Sequence, residues 1–479
     1  MKPVDYPSQP SHLWDHFYRI TQIPRPSREE AAVRRYVIEQ AEAGGHKWRI
    51  DAQGNLVVSV PPTAGRESAP RVIIQNHLDM VTVKTADKEH DFSRDPLSLR
   101  VEEGWLRADR TTLGADNGVG CAAALALMTD PELAHPALEL LFTVDEETGL
   151  GGALNLDPDM LHGDLMLNLD TEDWNELYVG CAGGGGWEFT RDFPVSPATD
   201  RCWRLELKGL AGGHSGIQIH EQLGNAAKML CQCLEEVAGL KLGAMDAGVA
   251  HNVIPREGWI VFSAPPEAVE QLEAVLPVLE ADWRGYLPEA DSELQLSLAE
   301  TAPVQLLEEK DSRAVLDVIA AWPHGAQAYN LHQPAELVDL SINLAIARLS
   351  GGKFFVESSY RFFNESQSQP LQQSVRALAR AYALSARPVV GYPGWQPDFD
   401  SPLLHRAIAL HRELFGSEPA VKAIHAGLEC VILKGKKPDL DILTFGPKIK
   451  GAHSPTERLE IGTVEPFWRF ITELLAGFA

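Results

Sequence analysis

Hydrophobic positions along the chain fall into two textures. In the first third, short apolar runs alternate with helical spacing. Leu56-Val57-Val58-Ser59-Val60 reads as a strand, and Arg71-Val72-Ile73-Ile74-Gln75 as a β-branched strand ending just before His77. Leu138 to Val144 and Leu165 to Leu169 are two more. Gly118 to Met128 is small and apolar, which suits a buried helix. Ser27-Arg28-Glu29-Glu30 has the form of a capping box opening a helix that runs to about Ala43. Alternating strands and helices predict an α/β fold with a mixed, mostly parallel sheet flanked by helices.

The texture changes after Gly183-Gly184-Gly185-Gly186. Strand-like segments at Trp203 to Leu207, Trp259 to Ser263 and Phe354 to Tyr360 alternate with helical patterns at Asn225 to Val237 and Ala268 to Leu279. This predicts an α+β module with an antiparallel sheet. A second break comes at Gly391-Tyr392-Pro393-Gly394-Trp395. Beyond it, Leu403 to Phe415 reads as a helix, Asp441 to Phe445 as a strand, and Val464 to Leu475 as a terminal helix. The expectation is a discontinuous domain, residues 1–185 and 393–479, interrupted by an inserted domain, residues 186–392. Hinges are expected at the two glycine-rich breaks.

Composition narrows the function. With 479 residues, 44% hydrophobic and 23% charged, the chain is globular rather than disordered and too long for one core. A formal net charge of -25 disfavours nucleic acid and anionic membranes as partners. Six cysteines, none in a Cys-x-x-Cys pair, fit a reducing compartment. The N-terminus lacks the apolar core of a signal peptide, and no apolar run reaches the ~20 residues that span a bilayer. The expected location is the cytoplasm.

Acids and histidines recur just past the C-termini of the expected strands, where α/β sheets place ligands. His77 follows one strand, and a neutral imidazole is a good zinc ligand. Asp79, two residues on, suits the role of holding its other ring nitrogen. Asp116 stands in Gly114-Ala115-Asp116-Asn117-Gly118, and its two oxygens suit a bridge between two cations. Glu146 and Glu147 follow the Leu138 strand. Hydrolysis at a metal needs a ligand and a proton acceptor, which assigns Glu147 as ligand and Glu146 as general base. Asp170, chosen over Glu172 and Asp173, ends the Leu165 strand. His453 lies in Gly451-Ala452-His453-Ser454-Pro455. Singly, each motif reads equally well as a loop histidine, an Asp-Asn turn or a solvated acidic run. Their order and combination carry the inference.

That ordered string resembles the di-zinc metallopeptidase family of carnosinases, dipeptidases and acylase-type carboxypeptidases. Within it, the branch of aminoacyl-histidine dipeptidases is matched by longer segments. Among them are His77-Leu78-Asp79-Met80-Val81, Thr111 to Gly118, Gly212-Gly213-His214-Ser215-Gly216, Tyr392 to Pro397, His425-Ala426-Gly427-Leu428-Glu429-Cys430 and His453-Ser454-Pro455. The resemblance implies two zinc ions, with manganese or cobalt as substitutes. His77 and Asp170 would hold one, Glu147 and His453 the other, and Asp116 would bridge them. Asp79 would orient His77, and Glu146 would be the general acid/base. It further implies that residues 1–185 and 393–479 form the catalytic domain and that the inserted domain is a lid and dimer surface, whose His214, Asn252 and Arg361 contact a small peptide substrate, with Arg361 clamping its carboxylate, in a homodimer. The implied reaction is hydrolysis of Xaa-His dipeptides, β-alanyl-histidine included. An acylamino-acid hydrolase or carboxypeptidase of the same clan, or a non-catalytic metal-binding relative, would carry similar motifs.

Overall fold

The computed structural model describes residues 2–331 and 337–478. The chain divides into two compact units: Met1–Gly180 with Pro397–Ala423 and Leu428–Ala479, and Cys181–Gln396 with Ile424–Gly427.

The first unit is built on an eight-stranded sheet. Its order is Lys47–Ile50, Leu56–Val60, Leu138–Thr143, Val72–His77, Leu165–Asn168, Asp441–Thr444, Glu176–Cys181 and Ala420–Ile424. Val72–His77 runs parallel to both neighbours, with Val72 opposite Leu138 and Leu165, and Asp441–Thr444 is parallel to Leu165–Asn168. Leu56–Val60 is antiparallel to Leu138–Thr143. The sheet is therefore mixed, with parallel central strands. Val72–His77 and Leu138–Thr143 are buried along their whole length, which accounts for unbroken rather than alternating hydrophobicity.

Helix Ala115–Thr129 packs into this core, and from Gly118 to Ala124 its buried residues are glycine, alanine, cysteine and one valine. Small side chains let it approach the strands closely. A methyl group added at Gly120 would stand 2.7 Å from the Leu169 carbonyl oxygen, so Gly120→Ala must displace the helix from the strand end that carries Asp170. The helix after Ser27 begins only at Ala31 and ends at Ala43. Ser27 does not cap it. Its hydroxyl donates to Asp79 Oδ2 at 2.7 Å, and Arg28, at φ 72°, turns the chain out of helical geometry.

The second unit holds a nine-stranded sheet. Its strands Gly183–Asp192, Cys202–Lys208, Lys241–Ala247, Gly258–Ser263, Val338–Ser350, Lys353–Phe362 and Ser385–Tyr392 pair antiparallel with their neighbours. Helices Ala226–Leu234, Pro266–Tyr286 and Glu309–Ala321 share one apolar core with it. Asn225 caps the first through its side chain, accepting from the amides of Ala227 and Lys228. The glycine run expected to be a hinge is a strand. Gly183 to Gly186 pair with Phe362 to Ser359, and Gly184 and Gly186 also pair with Tyr392 and Val389. Closeness of neighbours explains the composition: a methyl group at Gly185 would meet the Tyr360 hydroxyl at 2.6 Å. The second expected hinge likewise begins inside Ser385–Tyr392.

Candidate metal centre

Five elements of the first unit deliver acids and imidazoles to one place. His77 is the last residue of its strand and is buried. Asp116 lies at the mouth of helix Ala115–Thr129, where its backbone (φ -79°, ψ 114°) is extended rather than helical. Asn117 then donates to the Leu169 carbonyl at 2.7 Å and to Asp170 Oδ1 at 2.5 Å, which fixes the carboxylate that follows the Leu165–Asn168 strand. Glu146 and Glu147 follow Asp145, whose φ of 53° turns the chain sharply after the Leu138–Thr143 strand. His453, exposed and at φ 61°, comes from the loop before Arg458–Glu460.

Asp116 stands between the two imidazoles. Its Oδ1 is 3.0 Å from His77 Nε2, and its Oδ2 is 3.2 Å from His453 Nε2. Asp170 Oδ1 lies 3.4 Å from His77 Nε2, and Glu147 Oε2 lies 3.0 Å from His453 Nε2. Three sets of donor atoms, each within 4.8 Å, result: His77, Asp116 and Asp170; Asp116, Glu147 and His453; and His77, Glu146 and Glu147.

Asp79 does more than face the ring of His77. Its Oδ1 is 3.4 Å from His77 Nδ1, long for a hydrogen bond. Both its oxygens accept backbone amides, from Glu146 and Glu147, each at 3.1 Å. The aspartate thus ties the turn carrying the two glutamates to the end of the His77 strand. Burial opposes its ionisation, but His77, the Ser27 hydroxyl and the Glu146 amide outweigh burial and hold it well below the usual carboxylate range.

The electrostatics are those of a site built for cations. Four carboxylates converge, and among the described residues no lysine or arginine forms an ion pair with Asp116, Glu146, Glu147 or Asp170. Burial pushes the carboxyls of Glu146, Glu147 and Asp170 up, and repulsion from neighbouring carboxylates adds to it, from Asp170 and Glu147 on Glu146 and from Asp116 on the other two. Asp116 goes the other way: the two imidazoles overcome its burial and hold it ionised. Hydrogen bonds to Asp116 and Glu147 push His453 up to about 11. His77 also rises, because the surrounding carboxylates outweigh its burial. Glu147 Oε1 is buried without a hydrogen-bond donor. Mixed nitrogen and oxygen donors, surplus negative charge and an unsatisfied buried oxygen all fit divalent metal.

The three remaining predicted residues lie in the second unit. His214 Nδ1 accepts from the amides of Gly216 and Ile217. Asn252 sits in the turn beside it, its carbonyl accepting from the Ser215 amide at 2.9 Å. Arg361 is buried on the Lys353–Phe362 strand and donates to the Tyr392 hydroxyl at 3.3 Å, while its Nε has no acceptor. A cavity of about 130 Å³ is lined by Arg361, His251, Tyr360, Val389 and Tyr392. Burial, reinforced by Arg361 and His251, pushes His214 down to about 4. Sequence reasoning assigned no role to His425. Its Nε2 is 2.7 Å from the Ser341 hydroxyl, and burial with Arg361 and His214 takes it to about 3. It also passed over Glu429, fully buried, whose Oε2 accepts from Gln75 at 2.6 Å and Thr143 at 2.5 Å while Oε1 has no partner. Both residues lie in the matched segment His425 to Cys430, which was the available signal.

Comparison with known proteins agrees with this geometry. The chain is 35% identical over 474 residues to the cytosol non-specific dipeptidase of Escherichia coli, covering 97% of each. It superposes on the aminoacylhistidine dipeptidase of Vibrio alginolyticus with a TM-score of 0.88 at 33% identity, over 98% of this chain and 97% of the other. Human carnosine dipeptidase 1 shares the fold at 11% identity, with a TM-score of 0.52 over 97% of this chain and 95% of the other. Residues 73–477 match the model of peptidase family M20/M25/M40. The chain therefore belongs to that family and is a metal-dependent hydrolase acting on peptide bonds.

Proposed function

We propose that the protein is a cytoplasmic dipeptidase that accepts Xaa-His dipeptides, β-alanyl-histidine included, and works with two zinc ions. Asp116 carries this reading, because each of its oxygens addresses a different imidazole. In the proposed arrangement His77 and Asp170 hold one cation, Glu147 and His453 hold the other, and Asp116 bridges them. The bound cations supply polarisation of the scissile carbonyl and a water acidic enough to attack near neutral pH. Glu146 takes the proton of the attacking water and delivers it to the leaving amine. A carboxyl whose proton affinity is raised by burial suits a group that must hold a proton between two steps. Asp79 keeps Glu146 in place through its amide, besides facing His77.

His214, Asn252 and Arg361 are assigned to the substrate. The unused Nε donor and permanent charge of Arg361 suit a peptide's free carboxylate, and a neutral His214 suits hydrogen bonding to a carbonyl oxygen. The reading of Xaa-His preference is supported by the likeness to the Vibrio enzyme, and that of broader use by the likeness to the Escherichia one. No helix of the described residues is long and apolar enough to cross a membrane. A homodimer is part of the same proposal and rests on the family resemblance alone. A panel of Xaa-His dipeptides, other dipeptides and N-acylated amino acids tests the whole, with metal content measured on the same sample. Cleavage of the dipeptides but not the acylated acids is expected. Preference for N-acylated substrates would move the protein to another branch of the family.

A further inference from the structure

Two buried charged residues outside the donor set converge on the loop that presents Asp116. Glu457 is 2% exposed and sits four residues after His453. Its carboxylate reaches no lysine or arginine among the described residues. It accepts four successive backbone amides instead. Oε2 takes Leu113 at 2.8 Å and Gly114 at 3.0 Å, and Oε1 takes Ala115 at 2.8 Å and Asp116 at 3.4 Å. These amides precede the regular helical turns, since Asp116 and Asn117 are not helical, and the carboxylate satisfies buried donors that no helix bond takes up. The same carboxylate is held in the His453 turn, because the Glu457 amide donates to the Ser454 carbonyl at 3.1 Å. One residue therefore joins the Asp116 loop to the His453 turn.

Arg25 does the corresponding work at the other end. It is also 2% exposed, and among the described residues its guanidinium donates to backbone carbonyls. Nη1 reaches Leu78 at 2.8 Å and Asp79 at 2.6 Å, and Nη2 reaches Gly114. It links the strand end that carries His77 and Asp79 to the loop that carries Asp116. The glycines flanking Asp116 make room for it: an added methyl group would stand 2.5 Å from Nη2 at Gly114 and 2.8 Å at Gly118. A buried guanidinium and a buried carboxylate are costly unless they are hydrogen-bonded, and here backbone groups bond both Nη atoms of Arg25 and both oxygens of Glu457.

We propose that Arg25 and Glu457 are positioning residues that set the two imidazole–Asp116 distances, and through them the affinity of the site for its cations. The proposal rests on the two-metal reading above. Its test is a calorimetric titration of the metal-stripped full-length chain with Zn²⁺ alone, and again with Mn²⁺, for wild type, Glu457→Gln and Arg25→Lys. Gln keeps one acceptor oxygen but turns an amide group toward backbone amides. Lys keeps the charge but loses the planar fork that spans both loops. Each variant should retain its far-ultraviolet circular dichroism yet bind at least one cation about 10–100-fold more weakly. At saturating metal, kcat should fall while KM for a dipeptide changes little. A folded variant with wild-type affinity for both cations overturns the proposal, as does lowered stability with unchanged affinity. If Glu457→Gln does not fold, Arg25→Lys decides alone. A wild-type chain that takes up no cation would instead sink the metal-centre reading.

Discussion

Two regions of this chain use histidine in opposite ways. In the first unit, His77 and His453 are surrounded by carboxylates and gain protons readily, His453 up to about 11. In the second, His214 and His425 are buried near Arg361 and fall to about 4 and about 3. The residue type is the same, and the neighbours decide its charge. A cluster that draws protons onto its imidazoles offers the same attraction to a divalent cation. A cluster of neutral imidazoles around one guanidinium offers hydrogen bonds and a single positive charge, which suits a carboxylate and a carbonyl. The contrast matches the proposal above, which puts the cations in the first region and the substrate's polar groups in the second.

The strongest way to break it is at the acid that is neither ligand nor anchor. Glu146→Gln should lower kcat by roughly 10²–10⁴-fold while bound metal stays at the wild-type level. Steady-state turnover with metal content on the same preparation reads both, and near-normal turnover would remove Glu146 as the base. In the second region, Arg361→Met should reduce kcat/KM for a dipeptide by about 10–100-fold, from the loss of a charged hydrogen bond, and leave metal content unchanged. The same variant should let His214 titrate closer to its ordinary value, because Arg361 is one cause of its low one, second to burial. A histidine titration by NMR checks this, and an unmoved His214 would separate the two residues.

Glu429 bears on stability rather than turnover, and its effect has a clear sign. Burial raises its carboxyl to about 8 from an ordinary 4.5. Folding therefore gains from the protonated form below pH 4.5 and loses that gain as pH rises through 8. In the metal-free protein, Glu429→Gln should leave Tm unchanged near pH 4.5 and raise it near pH 9. Equal Tm at both pH values would mean the buried charge is compensated by another group.

Much of the catalytic unit was legible in the sequence, because parallel strands buried on both faces leave unbroken β-branched runs and α/β folds put ligands at their ends. Leu56–Val60 has the expected bounds, and Val72–His77 and Leu165–Asn168 lie within one or two residues of them. Local pattern misled where tertiary partners took over. The Ser27 hydroxyl was drawn to Asp79 instead of capping a helix, and the glycines read as a loop break at 183–186 lie in a paired strand. Arg25 and Glu457 were illegible for a plainer reason. Their partners are backbone groups of the loops around Asp79 and Asp116, so no side-chain motif or spacing marks them.

The most direct test of the account is the count of tightly bound divalent ions per chain in wild type and in Asp116→Ala, by elemental mass spectrometry after dialysis. The account predicts two ions in wild type and fewer in the variant, with dipeptide hydrolysis lost on chelation and restored by added zinc. Two ions retained without Asp116, or hydrolysis that survives their removal, would contradict it.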